Sequence, residues 1–188
     1  KLVEPGLTGT PEAAMLGLLA VTLIAPGAPV WVKMAVAATG AMAGTGGFFA
    51  LSRHVPRRDP MLLPLVGLIY AGILGAAAMG IAWVTDLVQY VSIWQSGDFS
   101  GVLRGRYELL WIIALLALAL YALADRITLL GLGEAQARAL GLDWRGTVLM
   151  GLGLVALGVA VIVVTVGAMP FIGLVVPDIV SRLWGDNL

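Results

Sequence analysis

Few residues in this chain could do chemistry, and their spacing limits what kind. Glu134 and Arg138 stand four apart, as do Asp178 and Arg182. On a helix each pair shares a face with the acid first, the order that favours an ion pair. His54 is the single histidine, cysteine is absent, and the lysines are Lys1 and Lys33. A metal centre or a cysteine nucleophile is therefore not expected. Ser52, Ser92, Ser96, Ser100 and Ser181 fall in loops or at span ends. A hydrolase needs its nucleophile beside a base, so an intramembrane enzyme is the weakest reading. Lys1 precedes Leu2 and Lys33 precedes Met34. A P-loop needs lysine followed by serine or threonine, for the phosphates and for magnesium. Any ATP and magnesium would belong to a partner chain, and no cofactor is expected on this one. A proton relay needs several buried acids or histidines. Asp178 alone is expected within the membrane. Pairing with Arg182 in helix packing is its plain reading, and gating is the sharper one.

The elements that must position these residues are membrane spans. The chain is 60% hydrophobic and 12% charged, with mean hydropathy +0.99. Soluble domains carry about 25% charged residues. Net charge is zero, so no general attraction to nucleic acid is expected. A helix needs about 20 apolar residues to cross the bilayer core. Uncharged runs predict spans over Ala13–Val32, Met34–Ser52, Pro60–Thr85 and Leu109–Ala124. The run from Gly146 to Pro177 is too long for one span. "GAMP" (Gly167–Pro170) divides it, because proline removes a helix donor. That leaves Thr147–Val166 and a shorter Pro170–Trp184, for about six spans in an all-α fold.

With alternating loops, one side holds Lys1, Arg53, Arg57, Arg58, Arg126, Arg138, Arg145 and Arg182. The other holds Lys33, Arg104 and Arg106. The basic excess marks the first side as cytoplasmic. Trp31, Trp83, Trp111, Trp144 and Trp184 fall near span ends, as an interfacial belt requires. Gly40 and Gly44, Ala71 and Gly75, Ala76 and Gly80, and Ala156 and Ala160 are small residues four apart. Such pairs let helices approach closely in lipid. On the outward side, "LVQYVSIW" (Leu87–Trp94) predicts a short interfacial helix before the turn "SGDFSG".

The inward segment from Asp125 to Gly146 is longer than a plain connection of about 2–8 residues. Glu134 to Leu140 is built of helix formers. Gly141 suits the left-handed position that ends a helix, and Asp143 can cap the next one. The segment could rest on the headgroups as an amphipathic helix. It could equally be a docking surface, its alanine face admitting a partner and Glu134 and Arg138 supplying polar contacts.

"LGEAQARALGLDWRG" resembles the inward coupling segment of the permease subunits of binding-protein-dependent ABC importers for iron chelates and vitamin B12. The matching positions are Leu132, Gly133, Glu134, Ala137, Leu140 and Gly141, with Arg138 beside them. "EPGLTGTPEAAMLG" (Glu4–Gly17) and "GAMPFIGLVVPDIVSRLWGDN" (Gly167–Asn187) are similar to two further stretches of that family. Pro170 stands where the family commonly has glycine, and Asp178 where it has histidine or asparagine. The last stretch is most similar to the ferric-siderophore branch.

The resemblance implies part of a ten-span type II importer permease, its third to eighth spans, with 1–188 as a single partial permease domain. It implies a bacterial inner-membrane protein with a second permease chain and ATPase subunits docked on residues 125–146. It also implies a periplasmic or lipid-anchored binding protein outside, and an iron–siderophore cargo. Pro170, Pro177 and Asp178 become gating candidates. Arg104 and Arg106 are positioned by side and charge to meet acidic groups of the binding protein, or are ordinary solvated charges. A self-sufficient secondary transporter or channel is the alternative.

Overall fold

The computed structural model describes residues 8–52, 54, 62–97, 110–131, 133–168, 175, 176, 179, 180 and 182. The described elements are helices α1 (Thr10–Ile24), α2 (Val30–Ser52), α3 (Leu62–Val84), α4 (Val88–Ser96), α5 (Leu110–Ala122), α6 (Ala124–Leu130), α7 (Glu134–Ala139) and α8 (Trp144–Thr165). α2, α3 and α8 are each long and apolar enough to cross a membrane. α5 and α6 together pass the same test as a pair bent by 58°. The described elements are all helices, which suits lipid because each helix satisfies its own backbone polar groups.

The first predicted span, Ala13–Val32, needs correction. α1 stops at Ile24 and α2 starts at Val30, with the turn Ala25–Pro29 between them. An uncharged run hides a turn made of Pro26, Gly27 and Pro29. Lys33 consequently lies within α2, and its Nζ donates to the Pro26 carbonyl at 3.3 Å. α3 and α8 fall where the uncharged runs predict. The outward segment forms α4, closed by Gly97 at φ 63°. Of the sixth predicted span, Pro170–Trp184, residues 175, 176, 179, 180 and 182 are described, all helical. The rest lies outside the described residues.

The core is built of small side chains between α1, α2 and α8. Ala14, Met15, Leu18 and Val21 meet Ala37, Ala38 and Ala41 and, from α8, Ala156, Ala160 and Val163. Gly40 rests on the α1 backbone. A methyl group there would stand 2.6 Å from the Ala13 carbonyl oxygen, and one on Gly17 would stand 2.7 Å from that of Val36. Gly44 lies against Ala13. The spacing of Gly40 and Gly44 thus does what small-xxx-small spacing predicts, as do Ala156 and Ala160. Ala76 and Gly80 are exposed, and a methyl on Gly80 would meet open space. That pair lies on an exposed face of α3. Large apolar side chains such as Leu68, Ile69 and Ile73 of α3 point outward, as lipid-facing residues do.

α1 begins below the ends of its neighbours. Gly9 lies against Tyr70 and Leu74, midway along α3. A helix start at that depth needs local partners. Thr8 and Thr10 hydroxyls are 2.6 Å apart, Thr10 and Thr45 2.7 Å, and Thr45 donates to the Ala41 carbonyl at 2.8 Å. Each hydroxyl has one proton, so donation runs from Thr8 through Thr10 to Thr45. Tyr70 adds a bond to the Gly44 carbonyl at 2.9 Å. At the opposite end Thr22, Lys33, Trp94 and Thr165 line one cleft. The end of α1, the start of α2, helix α4 and the end of α8 therefore meet there, as alternating spans require.

Candidate coupling segment

The segment after α5 is a staircase of short helices. α5 turns by 58° into α6 at Leu123. Neither proline nor glycine marks the bend. It falls where sixteen uncharged residues (109–124) give way to Asp125 and Arg126. Residues 125–130, expected as loop, are thus helical.

α7 is short and is held by its ends. Gly133 precedes it at φ 96°, a conformation that favours glycine. Gly141 ends it at φ 81°. The Leu142 N–H bonds to the Ala137 carbonyl and the Gly141 N–H to that of Arg138, both at 3.0 Å. These are the two bonds of a Schellman ending. Asp143 then caps α8 by accepting from the Gly146 N–H at 3.2 Å. Two rigid punctuations therefore set the angle of α7 against α6 and α8, both of which it touches.

The faces of α7 divide between the chain's interior and its surface. Ala137 is fully buried within the chain. It seats α7 and presents no docking face. Glu134, Gln136, Arg138, Ala139 and Leu140 are exposed. Glu134 Oε1 and Arg138 Nη2 pair at 2.7 Å, each side chain 54% exposed. A pair so open to water contributes little stability but fixes where two opposite charges stand. Beside them Leu140 is 64% exposed, an apolar side chain directed outward from a charged turn.

Leu132, Arg104, Arg106, Pro170, Pro177 and Asp178 lie outside the described residues. So does Glu4 of the first family-like stretch. One intramembrane acid was missed by reading: Glu12, in the first turn of α1. Its Oε2 is buried without a hydrogen-bond partner among the described residues, and its Cγ lies near Gly75 of α3. The signal for it was weak, because Glu12 sits at the very start of an apolar run. It corrects the expectation that Asp178 is alone.

The helices and the capped inward segment define a class: a helical membrane protein with the fold of ABC-transporter permeases. A solved structure described as an inward-facing metal-chelate-type ABC transporter superposes with a TM-score of 0.75 at 21% identity, over 99% of this chain and 60% of that one. The FecCD transport family matches residues 1–188, and the chain belongs to it. Among its relatives, the petrobactin import system permease protein YclN of Bacillus subtilis is 42% identical across the whole chain, which covers 60% of that protein. The ferric-anguibactin transport system permease protein FatD of Vibrio anguillarum is 38% identical, with the same coverage. The vitamin B12 import system permease protein BtuC of Yersinia pestis is 33% identical, over 98% of this chain and 55% of that one. The chain thus spans less than two thirds of the length of these relatives.

Proposed function

We propose that the whole protein containing this chain is the permease subunit of an ABC importer that carries ferric siderophores across the bacterial plasma membrane. The observation that carries this reading is the unbroken match of all 188 residues to siderophore-system permeases, at higher identity than to vitamin B12 permeases. In this reading ATP hydrolysis belongs to a separate subunit, as in ABC importers generally, and these 188 residues carry no P-loop. That subunit takes hold of α7, where Leu140 offers an apolar contact and Glu134 and Arg138 offer a placed pair of charges. Ala137 acts through position: its methyl fills the seat that holds α7 at its angle. A second permease chain completes the path, and a binding protein delivers cargo at the end where α4 lies. Arg104 and Arg106 are docking candidates there, and Pro170, Pro177 and Asp178 remain gating candidates.

The test is uptake into vesicles. Full-length permease is reconstituted with its ATPase subunits and binding protein, and a labelled ferric siderophore is supplied outside. Uptake that requires ATP, the ATPase and the binding protein is the expected result. Uptake that proceeds without the ATPase overturns the reading in favour of a secondary transporter.

A further inference from the structure

A cleft of about 290 Å³ opens at the end of the bundle where α4 lies. Its lining joins Thr22 of α1, Lys33 of α2, Tyr90 and Trp94 of α4, and Thr165 of α8. Lys33 is half-buried in α2, and it has no ion pair among the described residues. One proton of its ammonium goes to the Pro26 carbonyl, at a long 3.3 Å. None of the lining residues is acidic. The bond to Pro26 is open to solvent, so an anion can reach an ammonium to which the cleft lining gives no counter-charge. In the same lining, the Tyr90 and Trp94 rings lie 6.3 Å apart with planes inclined at 52°. Thr22 and Thr165 have already donated their protons, to Leu18 and Val161 carbonyls at 2.7 Å each. Their oxygens can only accept. The cleft therefore offers one cationic donor, two aromatic faces and two acceptors.

We infer that this cleft is a binding subsite for an oxygen anion borne on an aromatic or apolar body. A carboxylate or phenolate on a planar ring fits, and so does the headgroup of a net-anionic lipid, whose phosphate has no choline cation beside it and whose apolar part lies along the helices. The anion sits on the Lys33 ammonium, and the body lies against Tyr90 and Trp94. The inference rests on the cleft alone and stands apart from the cargo assigned above.

The experiment follows acylation of the Lys33 amine by peptide mass spectrometry, with the full-length protein in nanodiscs. In discs of phosphatidylcholine alone, dihydroxybenzoate is the probe and uncharged catechol its control. Discs containing phosphatidylglycerol, with no added solute, form the second arm. Slower acylation of Lys33 with dihydroxybenzoate and not with catechol identifies a soluble aromatic anion. Slower acylation in phosphatidylglycerol discs alone identifies a headgroup. Tyr90→Ala, on an exposed side chain, should weaken the protection about fivefold, as loss of a ring contact does. Ile93→Trp, which narrows the mouth, should abolish it. Unprotected Lys33 in both arms overturns the inference, as does protection that Tyr90→Ala leaves unchanged.

Discussion

The glycines between α1 and α2 act through what they lack. Gly40 and Gly17 let two backbones meet carbonyl to Cα, and Gly44 leaves room for Ala13. Gly40→Val would drive its side chain into the Ala13 carbonyl and force the helices apart. Overpacking of this kind costs about 1–3 kcal/mol, so a fall in melting temperature in detergent is expected. An unchanged melting temperature would mean that α1 and α2 are not held at this distance. Gly167 makes a separate demand. It has φ 93°, and a methyl there would stand 2.5 Å from the Trp94 carbonyl oxygen. The neighbouring Ala168 N–H donates to that same carbonyl, tying α4 to the end of α8. Gly167→Ala should release that tie, read as faster hydrogen exchange at Ala168 and along α4. The signal for these residues differed in kind. Gly40 and Gly44 announce themselves by spacing, whereas the need for Gly167 depends on Trp94, 73 residues away in sequence.

The candidate coupling segment works as an element. Its caps were legible: Gly141, Asp143 and the Glu134–Arg138 pair take the roles that their types and order imply. Which face of α7 is free was not legible, because three alternating alanines mark a small face without saying whether it turns inward. The structure turns Ala137 inward and leaves Leu140 outside. Two variants separate these roles. Ala137→Leu overfills a closed seat and should lower melting temperature together with transport. Leu140→Ser leaves the fold unchanged and should reduce ATP-driven uptake several-fold, with ATP hydrolysis running uncoupled. Normal transport by Leu140→Ser would remove α7 as the grip of the ATPase. Asp143→Ala deletes the α8 cap, a loss of about 1 kcal/mol, and should appear as faster hydrogen exchange over residues 144–147.

On the scale of the whole molecule, orientation is the property that everything else requires. The turn Ala25–Pro29 and α4 belong to one side, and α7 to the other. This chain has no cysteine of its own, so a single introduced thiol reports its side cleanly once any elsewhere in the protein are replaced. Gly27→Cys, at a turn position with open space around it, should react with a membrane-impermeant maleimide in intact spheroplasts. Gln136→Cys should react only after the membrane is opened. The reverse pattern would invert the assignment made from arginines, and with it the side on which an ATPase could act.

The sequence by itself determined that the chain lives in lipid and that it is built of helices. These follow from transfer energies and from charge, properties that each residue brings wherever it lies. It also determined the helix punctuation around α7, since caps are settled by neighbours within a few residues. Only the tertiary structure decided that Ala25–Pro29 is a turn inside an uncharged run, that α5 bends at Leu123, that Ala137 is buried, and that Glu12 faces α3. It alone gathers Lys33, Tyr90 and Trp94 into one cleft. Uncharged apolar sequence is equally content against lipid or against another helix. Hydropathy cannot tell the two apart, and packing between helices distant in sequence makes the choice.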